Sequence, residues 1–120
     1  MVLTVLAPVP LHPNRQRQRG YNQSALLARA LAGAMPHAGL AVNETALRRI
    51  RATASQTKLD SHQRKLNVAG AFACKDGALA GQRVLLIDDV CTTGATLEAC
   101  ATACRQAGAA SVWALTVTRG

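Results

Sequence analysis

Apolar residues along the chain fall into short runs that alternate with two longer helical patterns. Residues Met1–Val9 are apolar and rich in branched side chains, and Pro8 and Pro10 close the run, which predicts a buried strand ending in a loop. Leu11–Tyr21 is then a polar, arginine-rich connection. From Asn22, a side chain suited to an N-cap, Leu26, Leu27, Ala30, Leu31 and Ala34 recur at helical spacing until Pro36 and Gly39 interrupt them. A first helix is expected from Asn22 to Met35. Ala41–Arg51 fits two patterns, because Leu47 and Ile50 suit a helical face while their surroundings favour an extended run; the strand is the expectation adopted.

Ala52–Asn67 is polar and lacks a long apolar period, so it predicts a mobile loop with one helical turn after Ser61. Ala71–Cys74 is a short strand candidate. Gly81 then opens Val84-Leu85-Leu86-Ile87, a continuous apolar run of the kind that fills a parallel strand covered on both faces, and the run ends at Asp88-Asp89. Leu97, Cys100, Ala101 and Cys104 repeat at i, i+3, i+4 and i+7, and Gly108 stands where a helix C-cap glycine belongs. Val112–Thr118 is the last strand expected.

This alternation implies an α/β fold: an open, mostly parallel, doubly wound sheet of roughly five strands, with helices on both faces and right-handed crossovers. With 120 residues and 49% apolar content, one domain spanning 1–120 is the expectation. No apolar run approaches the ~20 residues of a membrane-spanning helix, and the start lacks the charged-then-apolar order of a signal peptide. The expected location is cytoplasmic, with no membrane partner. The four cysteines, Cys74, Cys91, Cys100 and Cys104, form no Cys-x-x-Cys pair and so suggest reduced, structural thiols. Cys100 and Cys104 share a helical face, where core packing is favoured over metal ligation.

Charge sharpens the picture because it is unevenly spread. Residues 1–67 hold ten Lys/Arg against Glu44 and Asp60, which accounts for the whole net charge of +8, while residues 68–120 are neutral with four of each sign. The cationic half calls for an anionic partner or plain solvent, and nucleic acid or a diphosphate would each serve. One Phe, one Tyr and one Trp leave few platforms for stacked bases, which weakens a dedicated single-strand binder.

The candidate chemistry lies in Val84–Leu97. Thr92, Thr93 and Thr96 bring hydroxyl donors, Gly94 permits close backbone approach, and the first N–H groups of the following helix point into the turn, a cradle for a phosphate monoester. Asp88 and Asp89 would repel a bare diphosphate but can accept hydrogen bonds from vicinal ribose hydroxyls, alone or through Mg²⁺. An apolar strand ending in two acids also occurs in P-loop NTPases and receiver domains. The absence of G-x-x-x-x-G-K-S/T removes the first, and the late position of the doublet removes the second.

Val84-Leu85-Leu86-Ile87-Asp88-Asp89-Val90-Cys91-Thr92-Thr93-Gly94-Ala95-Thr96 resembles the phosphoribosyl diphosphate (PRPP) signature of type I phosphoribosyltransferases at every position. Pro8-Val9-Pro10-Leu11, Arg17-Gln18-Arg19-Gly20-Tyr21-Asn22-Gln23, Arg51-Ala52-Thr53, Gln56 and Arg64-Lys65-Leu66-Asn67-Val68 resemble the ComF family of competence-associated proteins. The resemblance implies a phosphoribosyltransferase-like, Rossmann-like fold. It implies that Asp88 and Asp89 hold the ribose hydroxyls, that Val90, Cys91 and Thr92–Thr96 hold the 5-phosphate, and that the loop after the first strand faces the diphosphate. Arg15, Arg17 and Arg19 precede a helix N-terminus and carry guanidinium forks suited to phosphate oxygens. Arg64 and Lys65, in the second loop, would close over the diphosphate and exclude water. Of His12, His37 and His62, only His62 lies in a loop expected to approach a ligand, and none has a partner recognisable in sequence.

The implied reaction is displacement of Mg²⁺-diphosphate from C1 of PRPP by an unidentified acceptor, with the protein supplying position and electrostatics. It would belong to nucleotide metabolism or to DNA uptake. Two departures qualify the resemblance. Purine-salvage relatives place an Asp three residues after the acidic pair where this chain has Thr92, so ordinary purine salvage is not implied. ComF proteins commonly carry a cysteine-rich zinc ribbon ahead of the first strand, and none is found in these 120 residues. A PRPP sensor without turnover, and a competence factor that handles single-stranded DNA, therefore stay open beside the enzyme. A second copy of the chain is open as a partner.

Overall fold

The computed structural model describes residues 3–10, 22–51, 60, 62–63, 69–91 and 94–119, with the side chains of all of these except 90, 91, 118 and 119. Its elements in chain order are β1 (Thr4–Pro8), α1 (Gln23–Ala34), β2 (Leu40–Val42), β3 (Leu47–Arg49), β4 (Phe72–Cys74), β5 (Arg83–Cys91), α2 (Ala95–Gln106) and β6 (Ser111–Arg119). Four strands make a wholly parallel sheet in the order β2-β1-β5-β6, and β3 and β4 form a separate antiparallel ribbon. The doubly wound α/β architecture is as expected; the ribbon takes the place of a fifth strand in the sheet. Among the described residues, no helix is long and apolar enough to cross a membrane.

The apolar run of β5 is continuous because both of its faces are covered. Val84 and Leu86 pack with Val5, Ala7 and Val9 of the β1 segment under Ala95, Cys100, Ala103 and Cys104 of α2. The ribbon closes the same side through Leu47 and Phe72. Leu85 and Ile87 alternate to the other face, where Leu6 and Ala28 of α1 meet them. Leu6, Val84 and Leu86 are fully buried, each stabilising the fold by about 1.5–3 kcal/mol relative to exposure.

Both helix ends follow from their sequences. Asn22 Oδ1 accepts from the N–H groups of Ser24 (2.9 Å) and Ala25 (3.4 Å), so Asn22 caps α1 as predicted. Its Nδ2 also donates to the Val9 carbonyl at 3.2 Å, which ties the helix start to the end of β1. At the far end of α2, Gly108 adopts φ 88° and donates to the Arg105 carbonyl at 3.0 Å, while Ala109 donates to Cys104 at 3.1 Å. That pair of bonds is the Schellman closure, and it explains the glycine. Between the helices, Asp60 and Gln63 exchange side-chain-to-backbone hydrogen bonds of 2.8 and 3.0 Å around the turn at His62, a reciprocal cap at the predicted position.

Several expectations are corrected. Ala41–Arg51 is two strands, because Asn43 Oδ1 accepts from the N–H groups of Thr45 (3.1 Å) and Ala46 (3.0 Å) and turns the chain out of the sheet. β5 does not stop at the acidic doublet but continues to Cys91, since β6 runs beside it through the pair Cys91 and Arg119. The buried face of α1 is Ser24, Ala25 and Ala28, with Leu27, Leu31 and Ala32 at its margin; Leu26, Ala30 and Ala34 of the predicted stripe are exposed. In a helix apolar on most sides, small Ala28 admits closer approach to the sheet than leucine does, and period alone does not choose the face.

Replacing Asn22 by Ala removes both the cap and the tether to Val9 and should lower the unfolding free energy by about 1–2 kcal/mol in urea titration. Asn22→Asp keeps the cap and loses only the Nδ2 donor, so it should recover roughly half of that loss. Equal losses for the two variants would show that the cap contributes nothing.

Candidate functional site

The strand order places a crevice where two chain directions part. From β1 the chain crosses through α1 to β2 on one side; from β5 it crosses through α2 to β6 on the other, and the two helices lie on opposite faces. In open α/β sheets this switch point, beyond the carboxyl ends of the strands, is where ligands bind. The last rung between β1 and β5 is the Val9 N–H donating to the Ile87 carbonyl at 2.9 Å. The Val9 carbonyl, which points to the same side as its N–H, accepts from Asn22 Nδ2 at 3.2 Å, whereas β5 goes on beside β6. Asp88 is the first residue of β5 past that rung.

Alternation roots Asp88 on the face of Val84 and Leu86, towards α2 and the ribbon, and Asp89 on the face of Leu85 and Ile87. Asp88 is buried, at 9% exposure, and Asp89 is half-buried. Burial first, then the neighbouring Asp89 carboxylate, pushes the Asp88 carboxyl up to about 6. The positive charge of Arg49 opposes that rise.

Arg49 is the site residue that the sequence did not single out. It leaves the ribbon on the same face as buried Leu47, while Arg48 between them is exposed. Its guanidinium lies 4.8 Å from the centroid of the Phe72 ring, and its Nε donates to the Pro10 carbonyl at 3.3 Å. One cation thus spans the ribbon, the end of β1 and the field of Asp88. The only signal in the sequence was the two-residue period Leu47-Arg48-Arg49, legible once the segment is known to be a strand with one buried face.

Gly94 occupies the N-cap of α2 at φ 82°, a left-handed conformation that favours glycine, and brings no capping side chain of its own. Its carbonyl accepts the first helical bond, from Glu98 at 2.8 Å. Ala95 is buried against the core and Thr96 is half-buried. Asp88, Asp89, Gly94, Ala95 and Thr96 therefore gather at one edge of the sheet, with the backbone of Val90 and Cys91 completing β5. Arg15, Arg17, Arg19, Arg64, Lys65, Thr92, Thr93 and His12 lie outside the described residues. His37 and His62 are exposed.

The described thiols, those of Cys74, Cys100 and Cys104, belong to the core. Cys100 and Cys104 are fully buried and Cys74 is half-buried, all three free, with the sulfurs of Cys74 and Cys104 3.9 Å apart. Burial raises all three thiols above the ordinary range, Cys104 to about 12, so they are protonated at neutral pH.

The profile of the phosphoribosyl transferase domain matches residues 22–120. Over 112 residues the chain is 37% identical to DNA utilization protein YhgH of Escherichia coli (strain K12), covering 92% of this chain and 48% of that protein. Competence protein F of Haemophilus influenzae is 35% identical over 114 residues, covering 92% and 48%. Competence protein ComFC of Bacillus subtilis is 35% identical over 116 residues, covering 96% and 44%. The chain spans about half the length of the curated relatives it matches. No solved structure matches it significantly.

The raised Asp88 carboxyl carries a definite pH signature. Its folded value, about 6, lies above the ordinary 3.8, so ionising it costs stability; the cost is complete above pH 6 and disappears as pH falls from 6 towards 4. Asp88→Asn should therefore be more stable than the parent at pH 7.5, by on the order of 1–2 kcal/mol, and the difference should vanish near pH 4. Urea titrations of both proteins across that range check it. A difference independent of pH would contradict the buried, carboxylate-crowded setting.

Proposed function

The chain belongs to the phosphoribosyl transferase domain family, and from that premise we propose that it binds PRPP in the switch-point crevice and transfers the phosphoribosyl group to an acceptor. The observation that carries this reading is the gathering, at one sheet edge, of the crowded Asp88 and Asp89, the left-handed Gly94 and the start of α2. The division of labour follows from charge. A phosphate monoester suits the N-terminal turn of α2, where backbone N–H groups and the helix dipole face the ligand. The ribose hydroxyls donate to Asp88 and Asp89. Positive charge developing at C1 in the transition state is stabilised by the same carboxylates.

The diphosphate leaves towards the other wall of the crevice. Arg49 is the cation supporting that placement, because Phe72 and the Pro10 carbonyl hold it at the end of β1. Arg15, Arg17, Arg19, Arg64 and Lys65 are proposed to join it, neutralising the leaving group and excluding water. Asp88 and Asp89 are hard oxygen donors of the kind that hold Mg²⁺ together with substrate oxygens, and a cation would relieve the repulsion that, after burial, raises Asp88. The residues present fit Mg²⁺, which when bound would neutralise charge on the diphosphate.

The relatives' names, competence protein and DNA utilization protein, support a role in handling incoming DNA. A second reading keeps the PRPP pocket as a sensor on a protein whose basic half contacts single-stranded DNA. The observation favouring it is the concentration of all the net positive charge in residues 1–67.

Titration calorimetry with PRPP should show saturable binding that requires Mg²⁺ and weakens at least tenfold in Asp89→Asn and in Arg49→Leu. Release of diphosphate on adding an acceptor separates the enzyme from the sensor. Absence of Mg²⁺-dependent PRPP binding would sink both.

A further inference from the structure

The seam between the β3–β4 ribbon and α2 holds a pair of thiols that take no part in the crevice. Cys74, the last residue of β4, is half-buried, and Cys104, in the last turn of α2, is fully buried. Their sulfurs are 3.9 Å apart, the Cys74 thiol donating to that of Cys104. Both backbones are pinned. The Lys75 N–H donates to the Ala46 carbonyl at 2.7 Å directly after Cys74, and the Cys104 carbonyl accepts from Ala109 at 3.1 Å in the helix closure.

Of the two, Cys74 is the one that solvent reaches. With Lys75, Asp76, Gln106 and Ala107 it lines an open cleft of about 360 Å³ between the ribbon and α2. Lys75 and Asp76 put one charge of each sign on its wall, so size rather than charge decides what enters. Cys104 lines no part of this cleft. A small reagent therefore meets Cys74 first, and reaches Cys104 only through it.

We propose that Cys74 and Cys104 form a modification site for a low-molecular-weight disulfide, which closes them into a bridge. The Cys74 sulfur, losing its proton, attacks one sulfur of the incoming disulfide; a mixed disulfide forms on Cys74, and the reagent's own S–S bond breaks to release its first thiol. The Cys104 sulfur, losing its proton in turn, attacks the Cys74 sulfur and expels the second thiol. The protein is oxidised by two electrons, and the reagent is reduced to two thiols. Side-chain rotation closes the gap from 3.9 Å to the ~2 Å of a disulfide bond. Both protein thiols are protonated at neutral pH, so the exchange is slow and the pair stays reduced until such a disulfide accumulates. The bridge fastens to α2 the ribbon on which Phe72, two residues before Cys74, holds Arg49. The inference is independent of the PRPP reading.

The folded chain is incubated with excess oxidised glutathione, then unfolded, alkylated and mapped by peptide mass spectrometry. Cys74 and Cys104 should be joined and protected from alkylation, while Cys100 is alkylated. Thermal unfolding of the bridged protein should show a midpoint higher by on the order of 5–10 °C, reversed by dithiothreitol, because the bond closes a long loop in the unfolded chain. In Cys104→Ala the same treatment should stop at the mixed disulfide on Cys74, whereas Cys100→Ala should still form the bridge. The first two readouts use the unsubstituted chain, so a variant that fails to fold does not remove the test. A folded chain whose Cys74 stays unmodified overturns the proposal, as does one in which Cys74 joins Cys91 or Cys100. A bridged form no more stable than the reduced chain overturns it too, by showing that the pair is not positioned for the bond.

Discussion

The site depends on where one ladder of hydrogen bonds stops. β1 and β5 pair in parallel until the Val9 N–H meets the Ile87 carbonyl, and past that rung the Val9 carbonyl accepts from Asn22 Nδ2. β5, still paired with β6, continues alone along that side for four more residues. The result is a crevice with an acidic wall on β5 and a wall on β1 where Arg49 is anchored to the Pro10 carbonyl. The tether from Asn22 to Val9 fixes the same corner from the helix side, so one short stretch, Pro8-Val9-Pro10, sets both the edge of the crevice and the start of α1.

Two opposing charges meet across this gap. Asp88 is buried beside a second carboxylate, which the fold tolerates at a cost in stability, and Arg49 offsets only part of that cost. Such crowding is common at functional sites, where a bound cation or a hydrogen-bonding ligand completes what the protein leaves strained. The fold stores this strain at the edge of the sheet, away from the core that Leu6, Val84 and Leu86 build. Membership of the phosphoribosyl transferase domain family and similarity to competence and DNA utilization proteins fit a site of this character.

Much of this was legible from residue order. Asn22 and Gly108 announce their helix ends because capping chemistry is local, and Val84–Ile87 announces a doubly covered strand because both of its alternate faces are apolar. The misjudged parts share a cause: they depend on partners far along the chain. Nothing between Ala41 and Arg51 tells that Asn43 will turn the chain out of the sheet, or that Arg49 will reach Pro10 and Phe72. The run past Asp89 looked finished because its own apolarity ended, while β6 kept it paired. In α1, a surfeit of Ala and Leu hid the true inner face, which the packing of Ala28 chose.

The most direct trial of the account is a crystal structure of the chain with PRPP and Mg²⁺. The 5-phosphate should lie against the backbone of residues 92–96 at the start of α2, the ribose hydroxyls on Asp88 and Asp89, and the diphosphate towards Arg49. Density for the ligand away from the carboxyl ends of β1 and β5, with that turn bare, would contradict it.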